Sequence, residues 1–346
     1  MSVGVLERPQ ASTQPLASKR AVSVDIGYGY TKAVSASGIK VCLPSAVAPA
    51  PDDLGLSTGP SFYRVKVRYL NGRVEERLVG EAALRSSAAV TTLSREKPAE
   101  LHDLLLLTAC VLVGAGGTGP FPGQADIAVG LPLAYFKSQK DALRERLLGL
   151  AAWVSVDDNE ERYVSFGRVL VLPQGAGAVA AYPELLPEGG LVGVVDVGTY
   201  TTDYLLLEKQ PGQPNPRPLL EACGSVEAGV HLVLKAVARE FQARTGAPLP
   251  PEMWEQAVQA RSVFFGGRSV DLSVAVEKAL ADAAQAVAQR VLAAWGNRAG
   301  FVRATLLVGG GSLLLREHLA RALPGAVVAP DSLFANALGF LRGLVG

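Results

Sequence analysis

Apolar and polar positions follow two different periods along the chain, which predicts both strands and helices. Residues 62–70 alternate between apolar and polar, pause at Asn71-Gly72 and resume through 73–80, a pattern that predicts a β-hairpin with one solvated face. A second hairpin is predicted where residues 21–26 and 31–35 flank the turn Gly27-Tyr28-Gly29. Apolar segments that end in Gly or Pro, typical of buried strands leading into loops, lie at 127–131, 169–172, 192–197 and 305–308.

Apolar residues recur at helical spacing in 230–241 and in 280–295, and a glycine follows each stripe, Gly246 and Gly296. The run 104–113 is also apolar but much shorter than the roughly 20 residues that cross a bilayer, so it predicts a buried helix. This mixture of hairpins, buried strands and helices indicates an α/β chain, and its 346 residues favour two domains.

The charges nearly cancel, because 33 Lys and Arg against 32 Asp and Glu give a formal net charge of +1. This balance provides no overall attraction to nucleic acid or to an anionic membrane, so neither is predicted as a direct partner. The 3 cysteines and 3 histidines lie far apart, in no zinc or disulfide spacing, so a bound metal would need oxygen ligands. Residues 1–20, rich in Pro, Gln, Ser and Thr and without the apolar core of a secretion signal, predict a flexible tail on a cytoplasmic protein.

An internal repeat sharpens this interpretation. The segment 22–34 (VSVDIGYGYTKAV) resembles the segment 194–206 (VVDVGTYTTDYLL). Asp25 aligns with Asp196, Gly27 with Gly198 and Thr31 with Thr202, each at the same offset, 196 − 25 = 171. Two similar hairpins in two similar halves of the molecule are therefore predicted.

The duplicated turns have the chemistry of a phosphate site. Glycines allow the backbone to approach an anion, and consecutive turn amides can point at phosphate oxygens. Asp25 and Asp196, at the strand ends, would supply hard oxygen ligands for Mg²⁺ or its waters, and Lys32 would neutralise phosphate charge. The alternative is a pair of purely structural hairpins with capping aspartates.

A glycine run after a buried strand adds a third element. Residues 306–308 lead into Gly309-Gly310-Gly311-Ser312, where a flat ligand or a phosphate could lie against bare backbone. The chain contains no GxxxxGK[ST] sequence, which excludes a P-loop.

Five motifs together carry a family resemblance. The segment from Asp25 to Lys32 resembles the first phosphate motif of the actin-like ATPases, the segment from Asp196 to Asp203 the second, and 308–312 the adenosine motif, in the order of that family. The loops 172–178 (LPQGAGA) and 334–339 (FANALG) resemble its two connecting motifs. The pattern is most similar to ParM-type plasmid-segregation actins and archaeal actin-like proteins, and it extends from Ala21 to the C-terminus.

The resemblance implies a two-domain actin-like α/β fold, with a duplicated sheet and helix core around a central cleft that binds ATP or ADP with Mg²⁺. It places one domain at 21–172, with a C-terminal helix at 336–346 returning to it, and the other at 173–335. It assigns Asp25 and Asp196 to the metal side, Gln174 and Asp196 to catalysis with Gln174 orienting the attacking water, and these residues to the nucleotide: Gly27, Tyr28, Gly29, Thr31, Lys32, Gly198, Thr199, Tyr200, Thr201, Gly229, Gly309, Gly310 and Gly311.

The function implied by the resemblance is ATP hydrolysis coupled to filament assembly, for plasmid DNA segregation or cytoskeletal positioning. The partners would be further copies of the chain and a DNA-binding adaptor protein. Two alternatives stay open: a small-molecule kinase of the same superfamily, for which the sequence offers no evident carboxylate base, and a non-dynamic nucleotide-bound scaffold for cell division or pilus assembly. Candidate self-contact elements are the hairpin at Asn71, the acidic turn 157–161 and the loop 264–267.

Overall fold

The computed structural model describes residues 20–50, 62–86, 88–91, 99–119, 123–213 and 215–346. Of the predicted N-terminal tail, residues 1–20, all but Arg20 lie outside the described residues. In the part of the first half that the structure describes there are ten strands and three α-helices: β1 Ala21–Ile26, β2 Tyr30–Ser35, β3 Lys40–Pro44, β4 Ala46–Pro49, β5 Phe62–Tyr69, β6 Val74–Gly80, α1 Glu81–Leu84, β7 Val90–Thr91, α2 Ala99–Leu112, β8 Ala125–Leu131, α3 Leu133–Gly149, β9 Ala151–Val156 and β10 Arg162–Pro173.

Within the described residues, the second half contains eight strands and six α-helices. The six include the helix that leads into this half and the C-terminal helix. The strands and helices are α4 Ala176–Ala181, β11 Gly190–Val197, β12 Thr202–Lys209, β13 Arg217–Pro218, β14 Gly224–Val226, α5 Val230–Thr245, α6 Trp254–Ala260, β15 Ser262–Phe265, β16 Arg268–Asp271, α7 Ser273–Trp295, β17 Val302–Val308, α8 Gly310–Ala322, β18 Ala326–Val328 and α9 Ala335–Val345. The predicted helices at 230–241 and 280–295 lie within α5 and α7, and the apolar run 104–113 lies almost entirely in α2.

The two halves repeat one sheet topology. In the first sheet the strands run β3-β2-β1-β8-β10 and continue through β9-β5-β6-β4-β7, with β1 antiparallel to β2 and parallel to β8. In the second sheet they run β13-β12-β11-β17-β18, with β11 antiparallel to β12 and parallel to β17. The repeated hairpin of the sequence therefore forms the same part of both sheets.

Each sheet packs its helices around its own apolar core. In the first half the core includes Leu105, Leu106 and Leu107 of α2, all fully buried, which explains why this helix is apolar around its circumference. In the second half α5 and α7 pack together, and Trp295 ends α7 inside the core. Each core is built from the apolar residues of the strands and helices that the sequence pattern predicts.

Two connecting helices cross where the halves join. Helix α4 follows the last strand of the first sheet, and α9 ends the chain. They approach so closely at glycines that a Cβ atom on Gly339 would collide with the backbone of Gly177, and one on Gly177 would lie 2.7 Å from the carbonyl oxygen of Asn336. Phe340 and Leu344 of α9 are buried together with residues of β1 and β8. The C-terminal helix thus follows the second sheet in the chain but packs on the first.

One glycine turns the chain before α8. Of Gly309, Gly310 and Gly311 only Gly309 has a positive φ, 81°, and Gly310 already begins the helix. A single left-handed residue therefore suffices to turn the chain from β17 into α8, and the assignment of the three glycines to a ligand stays a prediction. No helix in the described part of the chain combines the length and apolarity needed to cross a bilayer.

Candidate functional site

The two repeated turns have the same geometry and face each other. The amide of Gly27 donates to the carbonyl oxygen of Tyr30 over 3.0 Å, and the amide of Gly198 donates to that of Thr201 over 2.9 Å. The turns are so close that a Cβ atom on Gly29 would collide with the Thr199 side chain. The amides of Gly27 and Gly198 close their own turns, so these two amides do not point outward to a ligand. The sequence prediction that turn amides point at phosphate oxygens therefore does not apply to these two.

A carboxylate lies beneath each turn, and each is held by an amide side chain from a connecting segment. Asp25 is 5% exposed and accepts a hydrogen bond from Nε2 of Gln174 over 2.6 Å. Asp196 is 8% exposed and accepts one from Nδ2 of Asn336, also over 2.6 Å. Nζ of Lys32 lies 3.8 Å from the other oxygen of Asp25. The structure thus brings together the three charged residues predicted from the repeat.

The environment favours the neutral form of Asp196. Its burial, and then the charge of Asp25, raise its pKa from 3.8 to about 6, while the hydrogen bond from Asn336 acts in the opposite direction. Two buried carboxylates at one site repel each other unless a cation separates them. Oxygen donors of this kind suit Mg²⁺, which is commonly held by one or two carboxylates together with water and phosphate. The chemistry of the donors therefore fits the metal.

Asp203 is a third buried acid that the assignment of site residues missed. It is 4% exposed, and its Oδ1 has no hydrogen-bond partner among the described residues. Burial and then Asp196 raise its pKa from 3.8 to about 7, opposed by hydrogen bonds from the Ser225 side chain and the Leu133 backbone. The repeat carried the signal that could have found it, because 203 − 171 = 32 places Asp203 at the position of Lys32.

A cavity of about 470 Å³ opens from the two turns into the cleft between the halves. This volume lies in the range of small-molecule sites. Its lining from the first half consists, among the described residues, of Tyr30, Lys32 and Cys42. The second half contributes the rest of the lining: Gly198, Thr199, Val230, Leu234, Glu255, Val258, Gln259, Gly310, Gly311, Leu313, Leu314 and Leu333.

Several predicted site residues support the turns instead of lining this cavity. The ring of Tyr28 packs on that of Tyr200, with centroids 5.5 Å apart, and Tyr200 packs on His231. The Thr31 hydroxyl is buried against that of Ser45, 2.9 Å away. These side-chain contacts fix the position of the turns, and the assignment of the three residues to the nucleotide stays a prediction. Thr201 acts through its backbone carbonyl, which closes the second turn.

Gly229 and Gly309 are required by close backbone contacts. A Cβ atom on Gly229 would lie 2.6 Å from the carbonyl oxygen of Gly198, and the first amides of α5 donate to the second turn. A Cβ atom on Gly309 would collide with Asp196 and with the carbonyl group of Val197. Both glycines therefore fix the second turn and its carboxylate, and neither is among the cavity-lining residues.

Sequence reasoning also missed Tyr30 and Glu255. The hydroxyl of Tyr30 donates to Oε2 of Glu255 over 2.5 Å, and both residues line the cavity. Tyr30 lies within the first phosphate motif, between Asp25 and Lys32, but the motif assigns no role to it. Glu255 lies on α6 in a segment with no motif, so no local signal could have found it.

Matched hairpins, crossing connecting helices and a cleft between two similar sheets define the two-domain actin-like fold. Residues 23–177 match the family described as "Actin like proteins N terminal domain", and residues 194–321 match "Archaeal actin homologue MreB-like, C-terminal". The chain belongs to the actin-like proteins, among relatives of ParM and of the archaeal actin homologues.

Individual relatives cover almost the whole chain. An archaeal actin homologue of Thermoplasma acidophilum is 27% identical over 328 residues, which are 92% of this chain and 97% of that protein. A ParM from a 15-stranded filament of Clostridium botulinum superposes with a TM-score of 0.84 at 25% identity, covering 94% of this chain and 98% of that one. An archaeal actin homologue in complex with ADP superposes with a TM-score of 0.74 at 24% identity, covering 93% and 98%.

Proposed function

We propose that this protein binds and hydrolyses ATP in the cleft and that its nucleotide state controls assembly into filaments. The observation that carries the proposal is the meeting of two glycine turns, with Asp25 and Asp196 beneath them, at the end of a 470 Å³ cavity. Solved relatives of the same fold bound to ADP and to AMPPNP support the choice of nucleotide.

The phosphates would lie at the turns. Lys32 on one side and the second turn, Gly198 to Thr201, on the other would hold them. Asp25 and Asp196 would hold Mg²⁺, directly or through its waters. Bound there, the metal would neutralise phosphate charge and relieve the repulsion between the two acids.

The adenosine would lie in the remainder of the cavity. Leu234, Val258 and Leu313 give this part apolar walls, and Gly310 and Gly311 leave room for a flat base beside α8. Glu255 adds a hydrogen-bond acceptor for the ribose hydroxyls. These roles agree with the adenosine motif of the sequence resemblance.

Gln174 would act in hydrolysis by positioning water. A neutral amide is too weak a base to remove a proton at neutral pH, so its contribution would be orientation of the attacking water. It lies just beyond the last strand of the first sheet, and its hydrogen bond to Asp25 fixes it beside the proposed metal site. Asp196 would contribute through the metal.

Filament assembly is supported by the ParM relative solved as a filament. We propose that further copies of the chain and a DNA-binding adaptor are its partners, and that it serves plasmid segregation or cytoskeletal positioning in the cytoplasm. The proposed domains are 21–172 with 336–346, and 173–335, because each contains one of the two large sheets and α9 packs on β1 and β8.

Light scattering and electron microscopy with Mg-ATP, Mg-ADP and no nucleotide test this function. We expect filaments with Mg-ATP, phosphate release that accompanies assembly, and disassembly after hydrolysis. Phosphate release without any added acceptor separates an ATPase from a small-molecule kinase, which needs its acceptor. Nucleotide binding without assembly would favour a static scaffold.

A further inference from the structure

A hydrogen bond joins the two halves across the cavity. Tyr30 is the first residue of β2 and Glu255 lies in the first turn of α6, and the Tyr30 hydroxyl donates to Glu255 Oε2 over 2.5 Å. Burial and then the Glu255 carboxylate raise the pKa of Tyr30. The phenol therefore stays protonated and remains a donor throughout the usable pH range.

The chemistry of Glu255 restricts what it can bind. An ionised carboxylate only accepts hydrogen bonds and repels phosphate, so its ligand must offer a neutral or positive donor. A nucleotide offers two kinds of such donor, the ribose hydroxyls and the base amino or imino groups. The bond to Tyr30 uses Oε2, and a carboxylate has a second oxygen that can accept from the ligand.

The position of Tyr30 favours the ribose. Tyr30 and Lys32 are two residues apart on β2, so their side chains leave the same face of the strand at a spacing of about 6.6 Å. Lys32 lies at the proposed phosphate end of the cavity. In a nucleotide the sugar directly follows the phosphates, and the base is farther away. A carboxylate held by Tyr30 is therefore placed next to the phosphates, at the level of the sugar.

We propose that Tyr30 is a positioning residue for sugar recognition, holding Glu255 from across the cleft so that its second oxygen accepts a hydrogen bond from the ribose. This inference rests on the proposed binding of a nucleotide in the cleft. Discrimination between ribose and deoxyribose would then depend on Tyr30, which lies in the first half of the molecule, whereas Glu255 lies in the second. Without the Tyr30 hydroxyl the Glu255 side chain keeps its charge but loses its fixed orientation.

Calorimetric titration with Mg-ADP, Mg-2′-deoxy-ADP and Mg-3′-deoxy-ADP tests the proposal on the full chain. We expect the wild type to prefer ADP to at least one of the deoxynucleotides by about 10-fold, the usual effect of one hydrogen bond to a charged group. Tyr30→Phe should reduce this preference to about 3-fold or less. The main effect should be weaker binding of ADP, with little change in the affinity for the deoxynucleotide. Glu255→Gln should also reduce it, and the double variant should lose no more than the stronger single variant.

The matched control is Tyr69→Phe, which removes another tyrosine hydroxyl that donates to a glutamate, Glu75, over 2.7 Å within the first half. It should leave the preference unchanged. An unchanged preference in Tyr30→Phe overturns the proposal, and so does a wild type that binds ADP and both deoxynucleotides equally. A wild type that binds none of the three overturns nucleotide binding itself, so the two failures are distinguishable. If Tyr30→Phe does not fold, unchanged discrimination in Glu255→Gln overturns the proposal in its place.

Discussion

Asp203 occupies in the second hairpin the position that Lys32 occupies in the first. Lys32 is directly opposite Asp25 in the register of β1 and β2, and Asp203 is directly opposite Asp196 in the register of β11 and β12. One carboxylate of the cleft therefore has a cation 3.8 Å away, whereas the other has a second buried acid beside it. Two hairpins with the same backbone thus give the cleft one neutralised side and one acidic side.

This acidic side predicts that the protein without nucleotide or metal loses stability as the pH rises. The pKa of Asp203 is about 7 in the folded chain and 3.8 in the reference state, so the folded chain keeps a proton that the unfolded chain has released between these values. Asp203→Asn should remove roughly 2–4 kcal/mol of the stability loss between pH 4 and pH 8. Urea unfolding across this range measures it. The control is Asp282→Asn on the surface, and an equal pH slope in wild type and Asp203→Asn would contradict the prediction.

Removal of the Asp196 carboxylate should separate metal binding from stability. In Asp196→Ala, Mg-ADP should bind at least about 10-fold more weakly, whereas binding of ADP in EDTA should change less, because the lost group faces the metal. The substitution also removes a buried repulsion between Asp196 and Asp25. Loss of the Asp196 charge should therefore not lower the midpoint of unfolding above pH 7. Calorimetry with and without Mg²⁺ checks the first expectation. Equal losses under both conditions would count against a metal at this carboxylate.

Hydrolysis and assembly should be separable at Gln174. Gln174→Ala removes the hydrogen bond to Asp25 and the group proposed to orient water, so ATP should still bind and promote filaments while phosphate release slows by at least about 10-fold. The filaments should then persist longer, because their ATP state lasts. Gln124→Ala, which removes an amide that bonds the carbonyl oxygen of Phe166, is the control. Wild-type phosphate release in Gln174→Ala would remove its catalytic role, and loss of ATP binding would make the residue structural.

Adjacent glycines should differ in what they control. Gly310 lines the cavity, and a Cβ atom there would meet only the far end of Leu333, at 3.1 Å, among the described residues. Gly310→Val should therefore fold but bind ADP more weakly by filling the base region. Gly309 has φ 81°, and a Cβ atom there would collide with Asp196 and Val197, so Gly309→Val should lower the free energy of unfolding by about 2 kcal/mol or more. Thermal melts and ADP titrations of both variants measure the difference, and similar melts would refute it.

Thiol labelling should locate the nucleotide. Cys42 lines the cavity, Cys223 is outside its lining, and Cys110 is fully buried with a pKa raised by burial to about 12. Mg-ADP should slow the maleimide labelling of Cys42 without slowing the labelling of Cys223. Mass spectrometry of the two cysteine-containing peptides measures both rates. Equal protection of both cysteines would indicate a general tightening of the fold instead of a ligand in this cavity.

Local sequence patterns predicted most strands and helices, because turn residues and the spacing of apolar residues are properties of short segments. The Asn71-Gly72 hairpin, α5 and α7 were found from turn chemistry and periodicity, and the repeat located Asp25 and Asp196. The Tyr30–Glu255 bond was not predictable, since it joins residues 225 positions apart and α6 has no motif. The packing of Tyr28 on Tyr200 was not predictable either, because a turn motif fixes the backbone but not the direction in which a neighbouring ring packs.

The unequal lining of the cavity has a consequence for the lifetime of a bound molecule. In the described part of the chain only Tyr30, Lys32 and Cys42 approach the cavity from the first half, while the second half supplies the remainder of its wall. When the halves separate, a nucleotide would therefore travel with the second half and lose only a few contacts. The exchange rate of the nucleotide would then depend on how often the first half moves away, which withdraws these three side chains and the Asp25 carboxylate from the bound molecule.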